Sequence, residues 1–177
     1  MNKLILALAS SAISFNALAA NTIRFEGAIA DQTCQVDVNG EQSPVILLPT
    51  IPADEMDRAT GVVGQQDIYV NLRNCESGQD IEWGVALVGN YVNPNGDLGN
   101  TAAGGAKGVA LRVTDKGADG KGINFNDSHV VVRGKEIAAG ETQARHVLSV
   151  GYVKEQGVTH VEAGRVSGSM QYAINYF

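Results

Sequence analysis

With 177 residues, 44% of them hydrophobic and 18% charged, the chain has the bulk for one domain with a real core and is too apolar to be disordered. A formal net charge of −6 speaks against nucleic acid and against an anionic membrane surface as partners. Glycine at 21 residues and proline at only 4 suit many short strands joined by tight turns.

The first residues read as a processing signal. Met1-Asn2-Lys3 is a short positive start, Leu4 to Phe15 is mostly apolar, and Ala17-Leu18-Ala19-Ala20 offers small residues for cleavage after Ala19 or Ala20. The apolar run is too short to span a bilayer, and no other stretch approaches a membrane span. Residues 1–20 are therefore expected to be a signal peptide, and residues 21–177 one exported domain.

From Thr22 onward the chain reads as strands. Ile23, Phe25 and Ile29 alternate around Gly27, and Cys34, Val36 and Val38 continue the habit up to the turn pair Asn39-Gly40. Val45-Ile46-Leu47-Leu48 reads as a short buried strand stopped by Pro49 and Pro52. Residues 53–64 form a polar connector with at most one helical turn at Asp54–Arg58. Ile68, Val70 and Leu72 alternate into Asn74-Cys75, and Ile81, Trp83, Val85 and Leu87 alternate again, which makes the lone Trp most simply a core residue. Gly89 to Gly108 is rich in Gly and Asn and reads as a long surface loop.

Val109, Leu111 and Val113 make another strand, closed by the turn residues around Asp115 and Asp119. Ile123–Phe125 and Val130–Val132 are short runs. Leu148, Val150 and Tyr152 share one face of the stretch from His146 to Val153. The last stretch, from Gly164 to Phe177, has the cleanest alternation. Gly164, Val166, Gly168, Met170, Tyr172, Ile174 and Tyr176 share one parity, with Arg165, Ser167, Ser169, Gln171 and Asn175 on the other. An apolar face that runs to the final residue is expected to need a partner, either a core strand of the same sandwich or another polypeptide covering an open edge. No apolar stripe of helical period exceeds about a turn, so the fold class expected is an all-β sandwich.

Cys34 and Cys75 are an even pair in an exported chain, so a disulfide is expected, closing a loop of about 40 residues. A metal site is the weaker reading, with no CxxC and no neighbouring His. The three histidines, His129, His146 and His160, form no cluster, and no GxSxG nucleophile elbow occurs. Asp115, Asp119 and Asp127 have the glycine-turn context of solvated hairpins rather than a calcium loop, and Gly104–Gly108 lacks phosphate-loop spacing. No enzyme, metal or cofactor is expected.

Several stretches together resemble one family, the subunits of bacterial chaperone–usher fimbriae (pili). They are Ile23-Arg24-Phe25-Glu26-Gly27 leading to Cys34, the run Ile68–Cys75, Gly108–Val113 with the Asp-rich turn after it, and the end of the chain with Tyr176 penultimate and Gly164 fourteen places from the end. The resemblance covers essentially the whole chain after residue 20. It implies an incomplete immunoglobulin-like sandwich that lacks its last strand and is completed by a donor strand. A periplasmic chaperone would supply that strand first and the N-terminal extension of a neighbouring fimbrial subunit would replace it, with an outer-membrane usher at the exit. By the same resemblance, Gly164, Val166, Gly168, Met170, Tyr172, Ile174 and Tyr176 face the donor groove or the chaperone; Ile23 and Phe25 are a candidate donor strand. The function implied is a structural subunit of a surface fimbria supporting adhesion. The alternative is a self-contained secreted binding module, lectin-like or at a fibre tip, using the Gly89–Gly108 loop and Trp83.

One departure concerns the donor. Family members usually carry a longer extension, whereas cleavage at Ala20 leaves Asn21 and Thr22 before Ile23, a reach of about 7 Å against roughly 26 Å for an eight-residue strand. Three alternatives stay open. Cleavage falls after Ala9 and leaves Ile13, Phe15, Ala17 and Ala19 to be donated; or Thr22–Ile29 is released from its own sheet to donate Ile23 and Phe25; or the subunit accepts a strand and donates none.

Overall fold

A computed structural model describes residues 34–76 and 78–177. The processing segment and the Ile23/Phe25 segment lie outside the described residues. Strands dominate: β1 (Gln35–Val38), β2 (Val63–Arg73), β3 (Trp83–Gly89), β4 (Leu98–Gly99), β5 (Val109–Asp115), β6 (Lys121–Gly122), β7 (Val130–Arg133), β8 (Gln143–Lys154) and β9 (Met170–Tyr176). Helix α1 (Ala53–Arg58) is the single helical turn and a half that the polar connector makes room for. It anchors itself by burying Met56, the one apolar residue in its sequence besides Ala53.

The strands form two antiparallel sheets. One runs β1-β2-β8-β5-β4 with β6 on β5, and the other runs β7-β3-β9. The alternations place Ile68, Val70 and Leu72 of β2, Leu111 and Val113 of β5, and Leu148 and Val150 of β8 against Trp83, Val85 and Leu87 of β3. Apolar residues at period two on both inner faces produce a sandwich because each sheet can bury only one face against the other.

Trp83 is 1% exposed. Its indole N–H donates to Lys135 O at 2.7 Å, and a Cβ on Gly134 would stand 2.2 Å from its ring, so only glycine lets the chain pass over the indole there. This depth leaves Trp83 no face for a sugar. At the same end of the core His146 and Asp115, both buried, hold each other at 2.8 Å, each satisfying a polar group that would otherwise be costly to bury. The disulfide expected between Cys34 and Cys75 is formed, joining the residue before β1 to the turn after β2.

Three expectations need correction. Val45–Leu48 joins no sheet: Val45 and Leu47 are each 82% exposed, while Ile46 and Leu48 pack against the core. Pro44 and Pro49 flank the run and remove two backbone donors from any ladder. The Gly89–Gly108 loop is not all surface, because β4 lies within it and Asn93, Asp97 and Leu98 are buried. Asp97 can be buried because Arg112 grips its carboxylate with two hydrogen bonds of 2.6 and 2.7 Å, a bidentate pairing that offsets the desolvation of both ions. Finally, the regular part of the last strand begins at Met170; before it, Arg165 O and Ser167 O accept bonds from Ala106 and Thr101 of the loop.

Candidate functional site

β9 is an edge strand. It pairs with β3 from Gly89↔Met170 to Trp83↔Tyr176, and on its other side no strand of the described residues follows. Among the described residues, nothing pairs with the backbone donors and acceptors on that side. Its side chains keep the expected parity: Met170, Tyr172, Ile174 and Tyr176 are half-buried and pack on the core, while Gln171, Ala173 and Asn175 point out. Residues packed on a core yet not closed over mark a place where the core itself reaches the surface.

The opening is a groove of about 1170 Å³. Its floor is the inner face of the larger sheet, with Ile68, Val70, Leu111 and Val150 among the residues reached. One wall is the approach to β9, where Val166, Gly168, Met170 and Tyr172 lie in line. The other wall is the unpaired strap from Gln42 to Leu48, with Ile46 and Leu48 turned inward. Among the described residues, no charged side chain lines the groove. Gly168 keeps the channel open at one point, since even a Cβ there would come within 3.1 Å of Leu111.

Tyrosine hydroxyls tie the walls. Tyr172 donates to Gln42 O at 2.8 Å, Tyr152 donates to Pro49 O at 3.1 Å, and Tyr176 Oη accepts from the Cys34 N–H at 3.2 Å. Burial raises the Tyr152 and Tyr172 phenols above their usual range, with the Asp37 carboxylate adding to the shift at Tyr172. Both therefore remain protonated donors at neutral pH.

Gly164 lies beyond the groove. It lines a second cavity of about 600 Å³ under α1, which shares Val166, Ser167 and Tyr152 with the groove. A Cβ at Gly164 would meet Ala106 N at 2.4 Å, so a glycine is required for the chain to cross the loop there. Ile174 and Tyr176 continue the same face past the groove's other end. The strap is the part that sequence reasoning missed. Its prolines at both ends of an apolar run were the available signal.

This geometry suits an extended, apolar-alternating segment and no small polar substrate. Comparisons with known proteins point to one family. The family profile described as fimbrial protein matches residues 23–176. The chain is 30% identical over 190 residues to a type-1 fimbrial protein subunit of Serratia marcescens, covering 99% of each chain. Among solved structures it is similar to the P pilus rod subunit PapA, at 20% identity and TM-score 0.58, over 81% of this chain and 99% of that one. A chaperone–usher pilus studied for rod uncoiling matches with the same TM-score and 20% identity, over 94% of this chain and all of that one.

Proposed function

The chain belongs to the fimbrial protein family, and from that premise we propose that its groove is an acceptor for a β-strand supplied by another polypeptide. The protein is a structural subunit of a surface fimbria and not an enzyme. A periplasmic chaperone fills the groove first, an outer-membrane usher receives the complex, and a neighbouring subunit's N-terminal segment takes the chaperone's place. Residues 1–20 are removed on export, and Ile23 and Phe25 are the donor residues this chain offers in turn.

The observation that carries this reading is the half-buried parity of Met170, Tyr172, Ile174 and Tyr176 on an edge strand. Two physical demands meet there. The free edge needs backbone partners, and the groove needs apolar side chains at every second position. An inserted strand answers both. About five apolar side chains buried in this way contribute on the order of 10 kcal/mol gross. That is comparable to the whole stability of an ordinary domain.

The test is a self-complemented variant in which a short linker and a second copy of Thr22–Ile29 follow Phe177. The appended strand should fill the groove from the same molecule. It should raise the unfolding midpoint of the isolated subunit by about 20 °C or more and keep it monomeric and unable to polymerise. An unextended chain that is already a monomer of equal thermal stability would show that the sandwich is complete without a donor.

A further inference from the structure

On the side of the larger sheet facing away from the groove, β1, β2 and β8 present a polar grid. Gln35, Arg73 and Gln143 form one cross-strand row, and Asp37, Asn71 and Arg145 form the next. Asn71 is the keystone. Although it faces outward, it is only 6% exposed. Its amide nitrogen donates to Asp37 Oδ1 at 2.7 Å and its oxygen accepts from Arg145 Nε at 2.8 Å. Arg73 Nε donates to the other Asp37 oxygen at 2.7 Å. Arg145 also lies over the Tyr69 ring, 5.2 Å from its centroid.

Both guanidinium groups are thus fixed through Nε alone, and their terminal nitrogens make no hydrogen bond among the described residues. They border a depression of about 320 Å³ with Gln143 between them in the lining. Asp37 is held below the usual carboxylate range, first by the Asn71 hydrogen bond, and so stays ionised. Asp37, Arg73 and Arg145 together leave a local charge of about one positive unit, in a chain whose total is −6.

We propose that this depression is a binding site for an acidic saccharide, whose carboxylate or sulfate would sit between the terminal nitrogens of Arg73 and Arg145. Guanidinium forks held in place recognise planar or tetrahedral oxyanions bidentately. Gln143 and the Gln35–Asn74 amide pair, joined at 2.9 Å, add donors and acceptors suited to sugar hydroxyls. Among the described residues the one exposed aromatic beside the site is Tyr69, which lies under Arg145, and this small apolar share favours a saccharide over an acidic segment of another chain. The site lies on the opposite face from the groove and stands or falls independently of strand acceptance.

The experiment compares fimbriae of the wild-type chain with Arg73→Gln, Arg145→Gln, Arg145→Lys and the remote control Arg58→Gln, using sialyllactose, sulfated lactose and plain lactose as probes. The acidic probes should bind and lactose should not, with added salt weakening binding. Arg73→Gln and Arg145→Gln should each weaken binding at least about tenfold, Arg145→Lys should retain part of it, and Arg58→Gln should change nothing. Binding of sialyllactose alone identifies a carboxylate ligand, and of sulfated lactose alone a sulfate ligand. Acidic probes that bind no better than lactose would overturn the proposal. So would an Arg58→Gln loss equal to that of Arg145→Gln, or inhibition only of fibre–fibre association. Should either glutamine variant fail to assemble, Arg145→Lys, which keeps the charge and loses the fork, decides the matter.

Discussion

Ile174→Asp is expected to abolish fibre formation, whereas Asn175→Asp should leave it near the wild-type level. The two residues are adjacent, but β9 places them on opposite faces. Ile174 packs on the core opposite Val85, which is wholly buried; Asn175 is exposed and lies opposite Gly84. A carboxylate at 174 loses the burial of an isoleucine and puts an unpaired charge against the core, costing at least about 3 kcal/mol. It also places that charge beside the path of any incoming strand, so even a subunit that folds has lost its acceptor. Fibre yield on the cell surface, with the amount of intact subunit retained inside the cell, measures both effects. Equal losses for the two variants would mean that the faces of β9 are not distinguished as the packing requires.

Removing the disulfide has the next largest effect. Cys34 and Cys75 are separated by 41 residues, a loop whose closure contributes roughly 4 kcal/mol by restricting the unfolded chain. Cys34→Ser with Cys75→Ser should therefore lower the unfolding midpoint by about 10 °C, and the wild-type protein should offer no thiol to a modifying reagent. A midpoint indifferent to both reductant and the double substitution would refute the structural role assigned to this bridge.

Much of this molecule was legible in its sequence, for a definite reason. Period two is a local signal, so the faces of β3, β5, β8 and β9 could be read from residues such as Val85, Leu111, Leu148 and Ile174 without knowing what they meet. Trp83 as a core residue and the Cys34–Cys75 bridge were equally readable, one from its place in an alternating run and the other from export. What escaped depended on partners distant in sequence. Val45–Leu48 looks like a buried strand because its composition is apolar, yet burial requires a neighbour and half of its side chains have none. Asp97 and Asn93 sit in a stretch with the composition of a surface loop; the arrival of Arg112 from β5 explains the burial of Asp97, while Asn93 Oδ1 accepts from the Asn95 and Asp97 backbone N–H groups. The His146–Asp115 contact joins β8 to the end of β5, a meeting that no motif announces. The inward parity of β9 was legible from the alternation, while the opposing strap could be found only once the fold had brought it across.

The placement of the Cys34–Cys75 bridge also decides how the subunit bears tension. On the proposal that the segment before Cys34 is donated to a neighbouring subunit, a pull along the fibre enters this molecule at Cys34. The covalent link passes that load directly to the end of β2, which lies between β1 and β8 and pairs with β8 along most of its length. Such a long ladder is loaded in shear, and its hydrogen bonds must yield together. Without the link the same pull would peel β1, whose ladder has only the positions Gln35 to Val38, one pair at a time, and then draw out the strap behind it. The 41-residue separation corresponds to roughly 140 Å of extended chain. In single-fibre pulling, reduced fibres should thus lengthen subunit by subunit at forces that oxidised fibres withstand, which makes the bridge a tensile stop as well as a folding restraint.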